Sequence, residues 1–293
     1  MFKQQTTFNN IIRRLKRYWS NLGFVALQPI DTEVGAGTLN PQTFFNILKF
    51  DTWNCFYVEN CRRPLDSCFG ENSDRFQYYY QFQVINKPSF YNIKSIYLDS
   101  LSYLGLDLKI SDIKFLEDNW EHPGLGANGL GWEVWFCGSE ITQFTYMKQC
   151  GGIPVDIEST EITYGLERIV KILQKQKMSN NIVYSFDNKS QRKMLHRDLY
   201  LRNEQEISFY NMYLSKPKIY MDIFEKLYSE AELLLQYKIT IPSYEKLLKC
   251  SHILNILDSA GSLSSVEKTY YIQRLRNLSK QCTKCYVFFY NNS

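Results

Sequence analysis

The sequence predicts an α+β protein: an antiparallel sheet with flanking helices, followed by a helical C-terminal domain. Three observations predict it. All but one of the 14 glycines lie at or before Gly165, so turns concentrate in the first part. Residues 1–170 carry a net charge of −4 and residues 171–293 one of +8. Strand-like runs dominate the first part without regular strand–helix alternation, whereas the second part reads as helices. A composition shift of this kind separates two domains. They are placed at residues 1–174 and 205–293. The polar stretch 175–204 has no sustained period and reads as a linker or loop.

Each element has a local reason. Phe8, Ile11, Ile12, Leu15, Trp19 and Leu22 follow helical spacing, and Gly23 can stop that helix. Phe24 to Gln28 is a short strand. Trp53 to Glu59 and Phe76 to Ile85 are aromatic-rich strands. Tyr91 to Leu104 is helical, with Ile93, Ile96, Tyr97 and Leu104 on one side. Ile113 to Glu117, Trp132 to Phe136 and Glu140 to Met147 return to strands. Farther on, one helix spans about Lys218 to Tyr237. Pro242 suits the first turn of the next, which Gly261 can end. Ser264 and Glu267 form a capping box for a last helix reaching about Phe289.

Composition narrows the class. Apolar residues at 44% exclude a disordered chain. The net charge of +4 is a weak bias, although the basic C-terminal part allows contact with nucleic acid or an acidic partner. No apolar run approaches the roughly 20 residues that cross a bilayer, so no membrane role is expected. The N-terminus has basic residues but no apolar core, which excludes a secretory signal. A transit peptide is discounted because its apolar positions run straight into a fold-like pattern. Eight cysteines are too sparse for a disulfide scaffold, and a cytoplasmic protein is expected. Aromatics at 16% follow a bias that also enriches Asn, Ile and Lys, and by themselves signal no function.

Three segments carry chemistry. The first runs from Arg62 and Arg63 through a loop to Arg75, then into the strand at Phe76. Side chains alternate along a strand. Tyr79, Gln81 and Gln83 therefore share one face, opposite Tyr78, Tyr80, Phe82 and Val84. An aromatic ring followed by two amides can stack a base and hydrogen-bond a small polar ligand. Arg63 and Arg75 can hold phosphates. The plain alternative is a surface hairpin with solvated charges. In the second segment, Cys137-Gly138 as a two-residue turn pairs Trp135 with Glu140. Glu133 shares the face of Trp135, so two carboxylates face one another diagonally. They either hold a cation such as Mg²⁺ on a nucleotide or stand solvated. The third is Glu161 to Val170, a strand, a glycine and a helix start. It places Arg168 where the positive helix end disfavours a cation. An anion beside it, or pairing with Glu161 or Glu167, resolves the mismatch.

Two signals are declined. Gly124-Leu-Gly126-Ala-Asn-Gly129 matches a dinucleotide fingerprint but precedes a strand rather than a helix. Cys282 and Cys285 form a lone CxxC inside a helix, so no structural zinc is expected. His122, His196 and His252 are scattered.

In order and spacing, the three segments resemble motifs 2 and 3 of class II aminoacyl-tRNA synthetases. The resemblance is closer to the alpha subunits of bacterial heterotetrameric glycyl-tRNA synthetases. It rests on Gln28-Pro29, Glu33 to Gly37, Arg62 to Pro64, Gly70 to Asn72, Tyr78 to Val84 and Asn92-Ile93. It continues through Glu117 to Glu121, Gly129 to Trp135, Glu140 and Ile162 to Arg168. It covers nearly the whole chain, most strongly residues 28–170.

The resemblance implies a class II antiparallel sheet with flanking helices and a helical C-terminal domain. It implies that glycine and ATP give glycyl-adenylate, followed by transfer to tRNA(Gly). ATP with Mg²⁺ is the substrate complex, with no tightly bound organic cofactor. By carry-over, Arg63 binds and polarises the α-phosphate, with adjacent Arg62 as the alternative. Glu71 and Arg75 hold adenine and the γ-phosphate, and Tyr79 stacks on adenine. Gln81 and Gln83 reach the α-phosphate and glycine. Glu133 and Glu140 hold Mg²⁺, Arg168 meets the far face of ATP, and Trp120 walls the glycine pocket. Gln143 is expected at the metal or glycine site, but strict alternation from Glu140 points it away unless a bulge intervenes. The implied partners are a large beta subunit that recognises tRNA, in an α₂β₂ assembly containing an alpha–alpha homodimer. Ser73-Asp74 replaces the expected Pro-Asn, and Thr160 stands where Gly is expected. Two other readings remain: a non-catalytic paralogue that binds tRNA or its partner, and an adenylate-forming ligase for another carboxylate.

Overall fold

Thr7 starts helix α1 (Phe8–Asn21) by accepting a hydrogen bond from the Asn10 N–H at 3.2 Å. Phe8, Ile11, Leu15 and Trp19 are buried on one stripe, and Gly23 turns the chain at φ 84°. Leu22 lies past the helix end and is exposed, so it is not part of that stripe. The computed structural model describes residues 6–49, 51–187 and 189–291. Residues 1–5, which begin the segment weighed as a leader, lie outside the described residues.

The chain continues through β1 (Val25–Ala26), α2 (Pro41–Phe44), α3 (Asn46–Lys49), β2 (Trp53–Arg62) and β3 (Tyr78–Lys87). Next come α4 (Ile93–Leu104), β4 (Ile113–His122), β5 (Ala127–Phe136), β6 (Ser139–Cys150) and β7 (Ile153–Gly165). Then follow α5 (Leu166–Leu173), β8 (Val183–Phe186), β9 (Lys193–Leu195) and α6 (His196–Phe209). The chain ends in α7 (Pro217–Gln236), α8 (Thr240–Ser259) and α9 (Ser265–Asn291). Among the described residues, β1 to β7 form one sheet in the order β1-β2-β3-β7-β6-β5-β4. Its pairs are antiparallel except β1 with β2, which is parallel. The fold is therefore the α+β antiparallel sheet with flanking and C-terminal helices that the sequence predicts.

Alternation divides the sheet into two faces. Phe56, Phe82, Val84, Val134, Phe144, Ile162 and Tyr164 pack against α1, α4 and α5. Cys55, Tyr57, Ile85, Ala127 and Met147 face the other way, against α2, α3 and the C-terminal helices. Tyr244 of α8 packs against the rings of Phe44 and Phe45, each 4.7 Å away, and donates its hydroxyl to the Leu39 carbonyl at 2.9 Å. The composition change near residue 170 thus does not divide the hydrophobic core: sheet and C-terminal helices share one.

The last three helices match their predicted ranges within one or two residues. Ser264 and Glu267 make the reciprocal capping bonds, at 3.2 and 2.9 Å. Cys282 and Cys285 both lie within α9, with Cys282 buried. Gly124 to Gly126 lie in the turn between β4 and β5, and Ala127 to Gly129 already belong to strand β5. The stretch read as linker or loop differs from that reading. Residues 175–204 hold the ribbon β8–β9 and most of α6 up to Glu204. Strands of four and three residues are too short for a period to register. Glu204 is itself buried, accepting the Gln77 and Tyr78 backbone N–H groups at 3.1 and 3.0 Å.

Candidate active site

The second sheet face stays open over Tyr79, Gln81, Glu133, Gln143 and Thr163, which line a cleft of about 600 Å³. A cleft of this size fits a nucleotide-sized ligand. The loop that follows β1 forms one wall, held by close backbone contacts. The Gly35 carbonyl accepts from Arg63 Nε at 2.9 Å and from the Tyr79 hydroxyl at 2.8 Å. The Gly37 N–H donates to Gln81 Oε1 at 2.9 Å. A Cβ at Gly37 would stand 2.6 Å from Gln83 Oε1, so this approach requires glycine.

Arg63 follows the last residue of β2 and lies over the Tyr79 ring, 5.1 Å from its centroid. That stacking and the bond to Gly35 orient the guanidinium at the cleft, which Arg63 lines. Arg62, one residue earlier, covers the Tyr78 ring at 5.4 Å and does not line the cleft. Strand alternation thus separates the two adjacent arginines. Arg75 lines the cleft 3.7 Å from Asp66.

The β5–β6 hairpin turns at Cys137 and Gly138, both at positive φ, as a two-residue turn of this kind requires. Trp135 pairs with Glu140, as the spacing predicts. A register shift follows, so Val134 pairs with Thr142 and Ile141 is the extra residue. This bulge brings Gln143 to the face of Glu140, and both line the cleft. Gln143 Nε2 donates to Asp118 at 3.0 Å, and Glu133 accepts from Trp135 Nε1 at 2.9 Å. Trp120 stands in the wall two residues beyond Asp118.

Arg168 lies in the first turn of α5 and pairs with Glu140 at 2.7 Å. Neither Glu161 nor Glu167 is its partner. Glu161 is buried, accepting from Thr38 at 2.8 Å and from Gln83. Burial pushes its pKa up to about 7, against the lowering effect of those bonds. Glu167 is buried and accepts the Tyr80 N–H at 2.9 Å, and burial pushes its pKa up to about 8.

Besides Arg62, two further expected site residues stand elsewhere. Gln83 is fully buried, with its amide engaged by Glu161 and Thr163, so it backs the cleft without lining it. Glu71 is exposed outside the cleft. Its loop is tied to the 175–204 region: the Ser73 carbonyl accepts from Ser179, and the Gly70 carbonyl from Asn180 at 2.6 Å. Asp74 pairs with Lys171 of α5. Of the residues departing from the resembled motif, Ser73 is thus held by the 175–204 region and Asp74 by α5.

The cleft also contains Thr38, Asp118, Glu161 and Asn255, which the sequence reading did not assign to the site. Asp118 was accessible to it, since strand alternation sets it on the face of Trp120. Asn255 carried no local signal. It comes from α8, and only packing of the C-terminal helices against the sheet brings it to the cleft.

Among the described residues, no helix is long and apolar enough to cross a membrane. A solved structure of Desulfitobacterium hafniense PylSc, a pyrrolysyl-tRNA synthetase, is similar over 63% of this chain and 73% of that chain, at 10% identity and a TM-score of 0.47. The family model for the glycyl-tRNA synthetase alpha subunit matches residues 8–290, nearly the entire sequence. The chain belongs to the glycyl-tRNA synthetase alpha subunit family, whose members are parts of a glycine–tRNA ligase that uses ATP.

Proposed function

We propose that this cleft joins glycine to ATP as glycyl-adenylate and pyrophosphate, and then passes glycine to tRNA(Gly). The observation that carries this reading is the convergence of Arg63, Arg168, Glu133 and Glu140 on one cleft. Arg63 and Arg168 come from separate elements, and Glu133 and Glu140 from adjacent strands, over a floor of Tyr79 and Gln81. In this reading the glycine carboxylate oxygen attacks the α-phosphorus as the bond to pyrophosphate breaks. The terminal adenosine hydroxyl of tRNA then attacks the glycyl carbonyl, and AMP leaves.

The protein acts by positioning and by charge. Arg63, oriented by Gly35 and Tyr79, meets the α-phosphate, whose charge grows during attack. Tyr79 offers a face to adenine, and Gln81 its amide nitrogen to the phosphate or to glycine. Arg75 and Arg168 take the outer phosphates and the far face of ATP. Glu133 and Glu140 supply the oxygen donors that suit Mg²⁺, which when bound would offset triphosphate charge. Glu161 has no cationic partner among the described residues, and its carboxylate suits the glycine ammonium group. Gln83 acts through Glu161 as a positioning residue. In this reading Trp120 and Gln143, which line the cleft, exclude a substrate side chain.

The partners in this reading are a beta subunit and a second alpha chain, in an α₂β₂ assembly that works in the cytoplasm. The exposed Phe209, Tyr213, Leu214 and Ile219 around the α6–α7 junction support it as a surface to be covered.

Glycine-dependent ATP–pyrophosphate exchange tests the reading, run with and without a matching beta subunit and with alanine and serine as controls. Glycine-only exchange is the expected result. No exchange by the folded complex overturns it, and tRNA binding without ATP binding would then favour the non-catalytic paralogue. Exchange with a different carboxylate would favour another adenylate-forming ligase.

A further inference from the structure

The exposed face of α9 carries a row of cations whose charges no ion pair takes up among the described residues. Arg276, Lys280 and Lys284 follow one another at i, i+4 and i+8 and are all exposed. At a rise of about 1.5 Å per residue, they stand roughly 6 Å apart along one face. None of the three makes an ion pair among the described residues. Other α9 cations contrast with them: Arg274 pairs with Glu225 at 2.5 Å, and Lys268 with Asp258 at 2.5 Å. Between the unpaired cations lie the exposed amides Gln273, Asn277 and Gln281. Glu267 is the only acid in α9, at its first turn, far from this row.

The helix that carries the row packs against the turn that leads into one wall of the cleft. Ser279, one residue from Lys280, donates to the Leu125 carbonyl at 2.9 Å. A Cβ at Gly124 would stand 3.6 Å from Leu275 Cδ1 and 3.7 Å from His122 Cε1. The inner face of α9 thus braces the β4–β5 turn, whose leading residues Trp120, Glu121 and His122 are a wall of the cleft. Lys280 also crosses the bare Gly152 of the β6–β7 turn, where a Cβ would stand 3.4 Å from its Cδ.

We propose that this outer row of α9 is a docking surface for the phosphate backbone of tRNA, placed to lead the substrate toward the cleft. It rests on the reading above that the cleft serves a tRNA ligase. Unpaired cations along a helix face match a run of phosphates, and the interleaved amides can bond sugar hydroxyls and phosphate oxygens. The C-terminal part bears the net charge of +8 that such a surface needs.

The test uses the complete chain with its partner subunit. The Arg276→Ala/Lys280→Ala/Lys284→Ala variant is compared with Lys16→Ala/Arg17→Ala/Lys109→Ala, which removes as many exposed cations from the α1 side of the sheet. Affinity for tRNA(Gly) is measured by fluorescence anisotropy from about 50 to 200 mM salt. The α9 variant is expected to bind at least ten-fold more weakly at the lower salt, with a salt slope smaller by about two to three, since each lost phosphate contact removes roughly 0.7–0.9. The control variant is expected to bind as the parent does. Unchanged affinity and slope in the α9 variant, or equal losses in both variants, overturns the proposal. Loss of the partner subunit from the α9 variant also overturns it, because the row would then be a protein interface. Glycine-dependent pyrophosphate exchange is read in parallel: it should survive in the α9 variant, and its absence from the parent would count against the cleft reading alone.

Discussion

Arg168 in α5 and Glu140 at the start of β6 form an ion pair at 2.7 Å, and both line the cleft. Arg168 also donates to the Glu140 backbone carbonyl at 3.0 Å. The two contacts offset the unfavourable placement of a cation in a first helical turn. They also hold the guanidinium beside the hairpin that carries Glu133.

Replacing Arg168 with alanine is expected to reduce glycine-dependent exchange on the order of 10² to 10³-fold, the effect of removing one preorganised charge partner. The side chains of the pair are 24% and 29% exposed, so the stability loss should stay within about 1 kcal/mol. Steady-state kinetics and thermal melting separate the two effects. Near-parental exchange would remove Arg168 from the reaction.

Trp120 stands in the wall of the cleft, and in the proposed reading it excludes a side chain from the glycine end. A hydrophobic pocket separates ligands differing by one methylene by only about 10–200-fold, whereas a wall that clashes with Cβ discriminates further. Trp120→Ala is expected to narrow the preference for glycine over alanine by roughly ten-fold or more, a change within that range. Exchange assays with both amino acids measure the ratio. An unchanged ratio would place selectivity elsewhere.

Gly37 approaches Gln83 so closely that a Cβ would stand 2.6 Å from its Oε1. Gln83 cannot move aside without losing its bonds to Glu161 and Thr163. Gly37→Ala should therefore displace the carboxylate assigned to the glycine ammonium. A shift of about 1 Å at such a site can cost on the order of 10²-fold. The expected signature is a raised KM for glycine with the KM for ATP little changed, and equal changes in both would contradict it.

Burial holds Glu167 at a pKa of about 8, well above an unfolded glutamate. The native state then binds the extra proton between roughly pH 4.5 and 8, so its stabilising effect is present below that window and is lost as pH rises through it. Glu167→Gln keeps an acceptor for the Tyr80 N–H and removes the ionisation. The Tm of the parent should fall more steeply from pH 5 to pH 8 than that of the variant. Parallel profiles would mean that Glu167 does not titrate in this window.

The sequence by itself determined much of this protein. Apolar spacing set α1 and α4, and the Ser264–Glu267 box set the start of α9. Alternation put Tyr79 and Gln81 on one face, and the Cys137-Gly138 turn set the pairing of Trp135 with Glu140. Each of these is a local relation, within one element or across one tight turn, and backbone geometry repeats such relations. Tertiary structure alone decided which distant residues meet. The β3-β7-β6 order turned Glu161 toward Gln83 and Thr38, leaving Glu140 for Arg168. The same order buried Gln83, whose strand face had marked it for the cleft. Packing of α8 brought Asn255 to that cleft, and the 175–204 region anchored the loop bearing Glu71 outside it. Contacts of this kind join elements through a shared core and the sheet order, and neither leaves a period in the chain.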